Sequence, residues 1–234
     1  MPGKIYLIPV FLYDADFSLY LPEGIKNILQ NTSILLTENA KSTRAFLKNI
    51  GIKPPYDQYS FVQLNKNTSR DDLWSVMEEI FMGKDAAMIS EAGMPAVADP
   101  GAVLTKLAHE QGISIVPIPG PSSIIQALAA SGLNGQQFTF HGYLPVQEKE
   151  KTRNIKILEK EATRSGYTQI FMETPYRNKQ LLKSLLKCLR NDTILCMAAA
   201  LNSKNENIIS VPVSDWKQGI EAPHKLPAVW LIGK

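Results

Sequence analysis

Only two of the 234 residues are cysteine, Cys188 and Cys196, and only three are histidine. The cysteines form no metal-type or redox-type pair, and His109, His141 and His224 stand far apart. The sequence therefore offers neither a disulfide framework nor clustered metal ligands. Reduced thiols and a cytoplasmic setting are the expectation. Long apolar runs are missing too, and none approaches the roughly 20 residues of a membrane helix. The apolar stretch 5–13 is interrupted by Pro9 and followed at once by Asp14 and Asp16. It reads as a buried first strand rather than a secretory leader. No GxxxxGK(S/T) segment occurs, and no GxGxxG follows the first strand, which argues against an ordinary P-loop or dinucleotide fold. A strong charge of one sign is also lacking. With 25 basic and 22 acidic residues the formal charge is +3, too mild to require or exclude an RNA partner.

What the sequence does have is alternation. Short β-rich apolar runs and helical patterns succeed one another, the mark of a parallel sheet with crossover helices. Strands are expected over 5–9, 33–37, 61–64, 86–89 and 113–117, with helices over 21–30, 42–49, 70–82 and 102–111. In the third helix Leu73, Val76, Met77, Ile80 and Phe81 recur at helical spacing, which predicts one apolar face. Three prolines between Pro117 and Pro121 then stop regular structure. Ser122 or Ser123 is placed to cap a helix over 124–130. Beyond it, a strand over 137–144, a charged helix over 148–164, a strand over 168–172 and a helix over 178–189 are expected. Three further strands, over 193–198, 208–212 and 228–233, have no predicted helix between them, which predicts a mixed sheet. The reading is an α/β protein with an N-terminal domain over 1–117, mostly parallel, and a C-terminal mixed-sheet domain over 118–234.

Four places after predicted strands carry residues suited to a ligand, where open α/β sheets put their sites. Ser90-Glu91-Ala92-Gly93-Met94-Pro95 combines small, polar and rigid residues and is followed by Asp99-Pro100-Gly101. Its glycine lets the backbone turn sharply or approach a ligand. Pro119-Gly120-Pro121-Ser122-Ser123 is the second place. In Glu173-Thr174-Pro175-Tyr176-Arg177, the arginine can pair with Glu173 or hold an anionic group. Ala198-Ala199-Ala200-Leu201-Asn202 is small enough for a flat ring to lie close.

Taken in this order, these segments resemble the tetrapyrrole methylase superfamily, and within it the branch of ribosomal RNA small-subunit 2′-O-methyltransferases. The resemblance is carried by 88–95, Asp99-Pro100-Gly101, 117–122, 127–133, His141-Gly142-Tyr143-Leu144-Pro145 and 171–177. It implies two α/β domains, S-adenosylmethionine in the cleft between them, and a homodimer. By position, Pro9, Ser90, Glu91, Ala92, Gly93 and Pro95 would serve the amino-acid and ribose side of the cofactor. Ser122, Ser123, Met172, Ala200, Leu201, Pro227 and Ala228 would enclose the adenosine and sulfonium. Glu173 and Glu38 are candidate bases, and Arg177 and Lys41 candidate anchors for substrate or phosphate.

The chain also departs from that branch. The loop after the first strand is Val10 to Phe17 in place of Thr-Pro-Ile-Gly-Asn-Leu. Glu-Asp-Thr-Arg becomes Glu38-Asn39-Ala40-Lys41, and Ala-Arg-Glu-Leu-Thr-Lys becomes Ala198 to Ser203. Leu226-Pro227 replaces Gly-Glu, and Pro227-Ala228 is more similar to the tetrapyrrole-modifying relatives. The resulting expectation is methylation of small-subunit ribosomal RNA. The alternatives are a small or macrocyclic acceptor, or a diverged cofactor-binding protein without catalysis. The helix over 148–164 mixes Lys149, Lys151, Arg153, Lys156, Lys160 and Arg164 with glutamates, and reads either as an RNA-facing surface or as a solvated face.

Overall fold

A computed structural model describes residues 1–12, 20–65 and 67–234. Most of the altered loop from Val10 to Phe17 lies outside them. The chain divides into two compact units, Met1–Pro121 and Ser122–Lys234. The division falls at the end of the proline-rich stretch, after Pro121 rather than Pro117.

The first unit holds one five-stranded sheet made of β1 (Lys4–Ile8), β2 (Ile34–Thr37), β3 (Ser60–Gln63), β4 (Ala86–Ile89) and β5 (Ser114–Pro117). Its order is β3-β2-β4-β1-β5, and every pairing is parallel. Every residue of β2 and β4 is buried, whereas the edge strands β3 and β5 are partly exposed. Continuous apolar runs in the central strands are what a sheet covered on both faces requires.

The helices divide between those faces. Helices α1 (Gly24–Gln30) and α2 (Ala40–Asn49) bury Ile25, Leu29, Phe46 and Leu47 with Ile8, Leu35, Ala87 and Ile89. On the other face, α3 (Trp74–Phe81) and α4 (Ala102–Glu110) bury Val76, Met77, Ile80, Leu104 and Leu107 with Ile5, Leu7, Leu36 and Met88. The expected apolar stripe of α3 is thus core, except that Phe81 is exposed. Period-two alternation along each strand feeds the two cores. The helices that follow β1 and β2 lie on one face, and the helix that follows β4 lies on the other.

The second unit is a mixed sheet in the order β6-β7-β10-β8-β9. Its strands are β6 (Phe138–Tyr143), β7 (Thr168–Glu173), β8 (Ile194–Ala199), β9 (Asn207–Pro212) and β10 (Ala228–Gly233). Only β6 and β7 pair in parallel; the other three pairings are antiparallel. Helices α6 (Glu148–Ser165), α7 (Asn178–Cys188) and the short α8 (Val213–Trp216) share one core that contains Phe171, Trp216 and Trp230. Helix α5 (Ser123–Ser131) lies against β8, β9 and β10. The short α8 escaped the sequence reading because four residues carry no periodicity. Among the described residues, no helix is long and apolar enough to cross a membrane.

Candidate functional site

In the first unit all strand ends point one way, so the ends of β1, β2 and β4 share one edge of the sheet. β4 stands between β1 and β2, and its chain departs to the opposite face from theirs. The turn after β4 therefore sits at a topological switch point, where adjacent connections diverge and leave a crevice. That turn is Ser90 to Pro95. Its backbone is tied to the end of β1 by two hydrogen bonds, from Val10 N–H to Gly93 O (2.9 Å) and from Gly93 N–H to Val10 O (3.0 Å). Gly93 has φ +73°, and a Cβ there would stand 3.3 Å from Leu12 Cδ2. The buried Ser90 hydroxyl donates to Gly93 O at 3.2 Å and closes the turn on itself. Asp99 holds the far side, accepting from Ala96 N–H and Gly101 N–H at 2.8 and 2.7 Å. Pro9 is buried beside this turn's partner strand, against the backbone of Gly120.

The end of β2 brings a carboxylate to the same edge. Glu38 Oε1 accepts from Glu91 N–H at 3.3 Å, and the Ser42 hydroxyl donates to Glu91 Oε1 at 3.4 Å. A recess with room for about one water lies between Glu38, Met88, Ser90 and Asp99. Burial pushes the Glu38 carboxyl above its ordinary pKa, the Glu91 N–H opposes this, and the charges of Asp99 and Glu91 add to it. Asp99 is raised as well, by burial, against the N–H groups of Gly101 and Ala96. A carboxylate with an elevated pKa beside a crevice is a better proton acceptor than an ordinary one.

In the second unit the ends of β7 and β8 and the start of β10 share an edge. Ala228 pairs with both Glu173 and Ala199, and Ala200 N–H donates to Pro227 O at 2.9 Å. This collects Met172, Glu173, Ala200, Leu201, Pro227 and Ala228. Glu173 is bonded to its own neighbours. Its Oε1 accepts from Arg177 Nη2 at 2.6 Å, Arg177 Nε at 2.8 Å and Thr174 N–H at 2.6 Å. The two candidates named for proton transfer and substrate anchoring in this unit are thus each other's partners. Lys41, at the start of α2, takes part in no ion pair among the described residues.

Two kinds of local frustration mark these turns. Among the described residues five non-glycine residues have positive φ: Ala96, Ala98, Ala200, Asn202 and Lys225. All lie in or beside the turns just described, and each left-handed residue costs about 1–2 kcal/mol. Such strain persists where the surroundings impose it and gathers at functional sites. The second mark is unmet hydrogen bonding. Gln126 Oε1 and Asn202 Oδ1 are the buried side-chain atoms without a partner among the described residues. Ser122 is the N-cap of α5 as expected, but its hydroxyl makes no capping bond. Ser122, Ser123 and Gln126 therefore stand together on the first turn of α5 with hydrogen-bonding capacity to spare. The sequence held no signal for Gln126, and nothing in the residue types announced the left-handed backbone of Ala96, Ala98 and Ala200, because none is a glycine.

The family description "Tetrapyrrole (Corrin/Porphyrin) Methylases" matches residues 20–216. A Buchnera aphidicola (subsp. Schizaphis graminum) protein named ribosomal RNA small subunit methyltransferase I is 30% identical over 207 residues, which are 88% of this chain and 68% of that protein. The Bacillus subtilis protein of the same name is 29% identical over 213 residues, 91% of this chain and 68% of its own length. Among solved structures, the methyltransferase CobJ aligns with a TM-score of 0.63 at 14% identity, covering 99% of this chain and 94% of its own. Uroporphyrin-III C-methyl transferase from Thermus thermophilus, complexed with S-adenyl homocysteine, aligns with a TM-score of 0.58 at 16% identity, covering 99% and 98%. At these identities the two structures establish a shared fold and nothing finer.

Proposed function

The chain belongs to the tetrapyrrole (corrin/porphyrin) methylase family, and from that premise we propose that it methylates ribose 2′-hydroxyls of small-subunit ribosomal RNA. It is an S-adenosylmethionine-dependent methyltransferase. The observation that carries the acceptor is the extended similarity to proteins named for small-subunit ribosomal RNA, which runs through both units.

The residues present fit the cofactor. The turn formed by Ser90, Glu91, Ala92, Gly93 and Pro95, with Pro9 behind it, offers closely approachable backbone for its amino-acid and ribose side. Within the second unit, Ser122, Ser123, Met172, Ala200, Leu201, Pro227 and Ala228 are the candidates for adenosine and sulfonium. The unmet acceptors of Gln126 and Asn202 supply polar groups that such a ligand would satisfy. When bound, the cofactor supplies an electrophilic methyl on sulfur.

Transfer of that methyl is an in-line displacement, so the protein's main task is alignment and exclusion of water. A ribose hydroxyl must also lose its proton. Of the two carboxylates Glu38 suits this better, because Glu173 is already neutralised by Arg177. Burial of Glu38 makes it a stronger base than an ordinary carboxylate.

The test uses small ribosomal subunits from a strain lacking the gene and S-adenosylmethionine labelled in its methyl group. Label is expected in RNA, in alkali-resistant dinucleotides that report 2′-O-methylation. Glu38→Gln is expected to lower the rate about 100-fold with cofactor affinity unchanged. Tight cofactor binding without any RNA labelling would sink the reading and favour a small acceptor or a non-catalytic binder.

A further inference from the structure

Charge is divided unevenly along the chain. Up to Pro121 there are 10 Lys and Arg against 13 Asp and Glu; from Ser122 on there are 15 against 9. The mild overall charge thus hides a first unit of −3 and a second of +6. Much of the second unit's excess lies on α6 and α7, which pack side by side over the same core.

On α6, Lys149, Arg153, Lys156, Lys160 and Arg164 fall within an arc of about 80° at 3.6 residues per turn. All five are exposed. The buried residues Ile155, Leu158 and Ala162 lie on the opposite side. In sequence these bases are interleaved with four glutamates, and the fold turns two of the four away from them. Glu159 is buried and accepts from Thr193 Oγ1 and Arg190 N–H at 2.6 and 2.7 Å. Glu148 is turned toward α7, accepting from Ser184 Oγ at 2.8 Å and pairing with Lys151. Lys151, whose side chain is 3% exposed, therefore leaves the basic face. Glu150 and Glu161 flank the stripe, about 40° and 60° beyond its edge; Glu161 pairs with Arg164, and Glu150 enters no ion pair among the described residues.

Helix α7 repeats the pattern. Lys179, Lys183 and Lys187 recur every fourth residue on its exposed side, opposite Leu181 and Leu185. Among the described residues, none of these three enters an ion pair, and neither do Lys149, Arg153, Lys156 and Lys160. A merely solvated face gains from acids placed one turn before its bases; α7 carries no acid at all, and on α6 Lys156 and Lys160 have none one turn before them. The row on α6 runs about 22 Å, at 1.5 Å per residue.

We infer that the outer face of α6 and α7 is where structured RNA docks, held by its phosphates rather than by its bases. The inference rests on the RNA reading above and adds the surface that would grip the acceptor. The two rows of cations, unpaired among the described residues except at Arg164, match a polyanion with regularly spaced charges, and phosphate contacts of this type supply affinity without sequence preference. Helix α7 starts directly after Arg177, so the surface leads to the strand edge that carries Met172, Glu173 and Ala200.

The test compares the wild type, the triple variant Arg153→Gln/Lys156→Gln/Lys160→Gln and a control triple in the first unit, Lys26→Gln/Lys48→Gln/Lys53→Gln. Cofactor affinity serves as the folding check. Binding to isolated small subunits is measured across salt concentrations, and methyl transfer across subunit concentrations. The α6 triple is expected to raise KM for subunits at least tenfold and leave kcat unchanged. Its slope of log affinity against log salt should fall by about 2, near 0.7 per cation removed. The control triple should stay within twofold of the wild type. If the α6 triple matches the wild type, or the control shifts as far, the face is only solvated and the inference fails while the RNA reading stands. Tighter binding of the wild type to phosphatidylserine vesicles than to subunits overturns the inference in favour of a membrane surface. A wild type that neither binds nor methylates subunits removes the RNA reading and the inference with it.

Discussion

Glu38 and Glu173 occupy comparable places, each at the carboxyl end of a strand inside its own sheet, yet they are different chemical objects. Glu173 has a side chain only 1% exposed, but Arg177 returns to it after the turn and Thr174 N–H bonds the same oxygen. Glu38 has no cation partner among the described residues and faces two further acids, Glu91 and Asp99. Both were equal candidates by residue type and position. The difference lies in what comes back to meet each carboxylate. A paired buried acid holds a structure together, whereas an unpaired one among like charges is held ready to take up a proton.

The sharpest way to break this comparison is to remove the cation from the second unit. Arg177→Ala would strand Glu173 as a buried charge, and such losses cost about 3 kcal/mol, toward the lower end here because Arg177 is 30% exposed. Trp216 and Trp230 are buried in this unit and Trp74 of the first is largely exposed, so denaturant unfolding followed by tryptophan fluorescence reports the second unit. A midpoint unchanged from the wild type would show that Glu173 does not depend on its partner.

Close packing gives the next contrast. A Cβ on Gly120 would lie 2.3 Å from Pro9 Cγ and 2.4 Å from Pro9 Cβ, and a proline ring cannot turn aside. A Cβ on Gly233 would meet the end of Leu133 at 2.5 Å, and that side chain can rotate. Gly120→Ala is therefore expected to destabilise the first unit by about 2 kcal/mol and to weaken cofactor binding, while Gly233→Ala costs less than about 1 kcal/mol in the second. Amide exchange rates in β1 and β10 measure the two side by side. Equal effects would mean that Pro9 and Gly120 do not form a rigid contact.

These contrasts also show what a sequence can carry. The strands were legible because β2 and β4 are continuous apolar runs, and α5 because Gly132 follows it in the left-handed conformation that glycine favours. Strand order was not, since no local pattern says that β4 inserts between β1 and β2. The turn at Ser90 stood out through Gly93 and Pro95, but its bonds to Val10 join residues far apart in the chain. Ala96, Ala98 and Ala200 take positive φ without the residue type that announces it, because their surroundings rather than their own preference set the backbone. Position alone left Ser122 and Ser123 as equal candidates for the cap; the structure puts Ser122 there, and its hydroxyl makes no capping bond. On α6 the order of charges was misleading, since two of the four glutamates mixed among the bases, Glu148 and Glu159, are turned away from the exposed row.

The smallest expected effect is the most discriminating, because its sign is opposite to that of Arg177→Ala. Burial raises the Glu38 pKa in the folded chain above its unfolded value. The native state therefore holds the proton more tightly, and the resulting stabilisation is complete below the ordinary glutamate pKa. It is lost as pH rises through the raised folded value, so at neutral pH the ionised Glu38 weakens the fold. Glu38→Gln cannot ionise and is expected to melt slightly above the wild type at pH 7. Asp99, raised for the same reason, stays in both proteins and largely cancels from the difference. The gap should close as pH falls below the ordinary glutamate range, and thermal melts of both proteins at pH 7 and pH 4 measure it. A variant less stable than the wild type at pH 7 would mean that Glu38 is held by compensating contacts, as Glu173 is, and the distinction between the two carboxylates would collapse. A variant that is more stable but slower is the behaviour of a charge kept in the fold against its own stability for its use in catalysis.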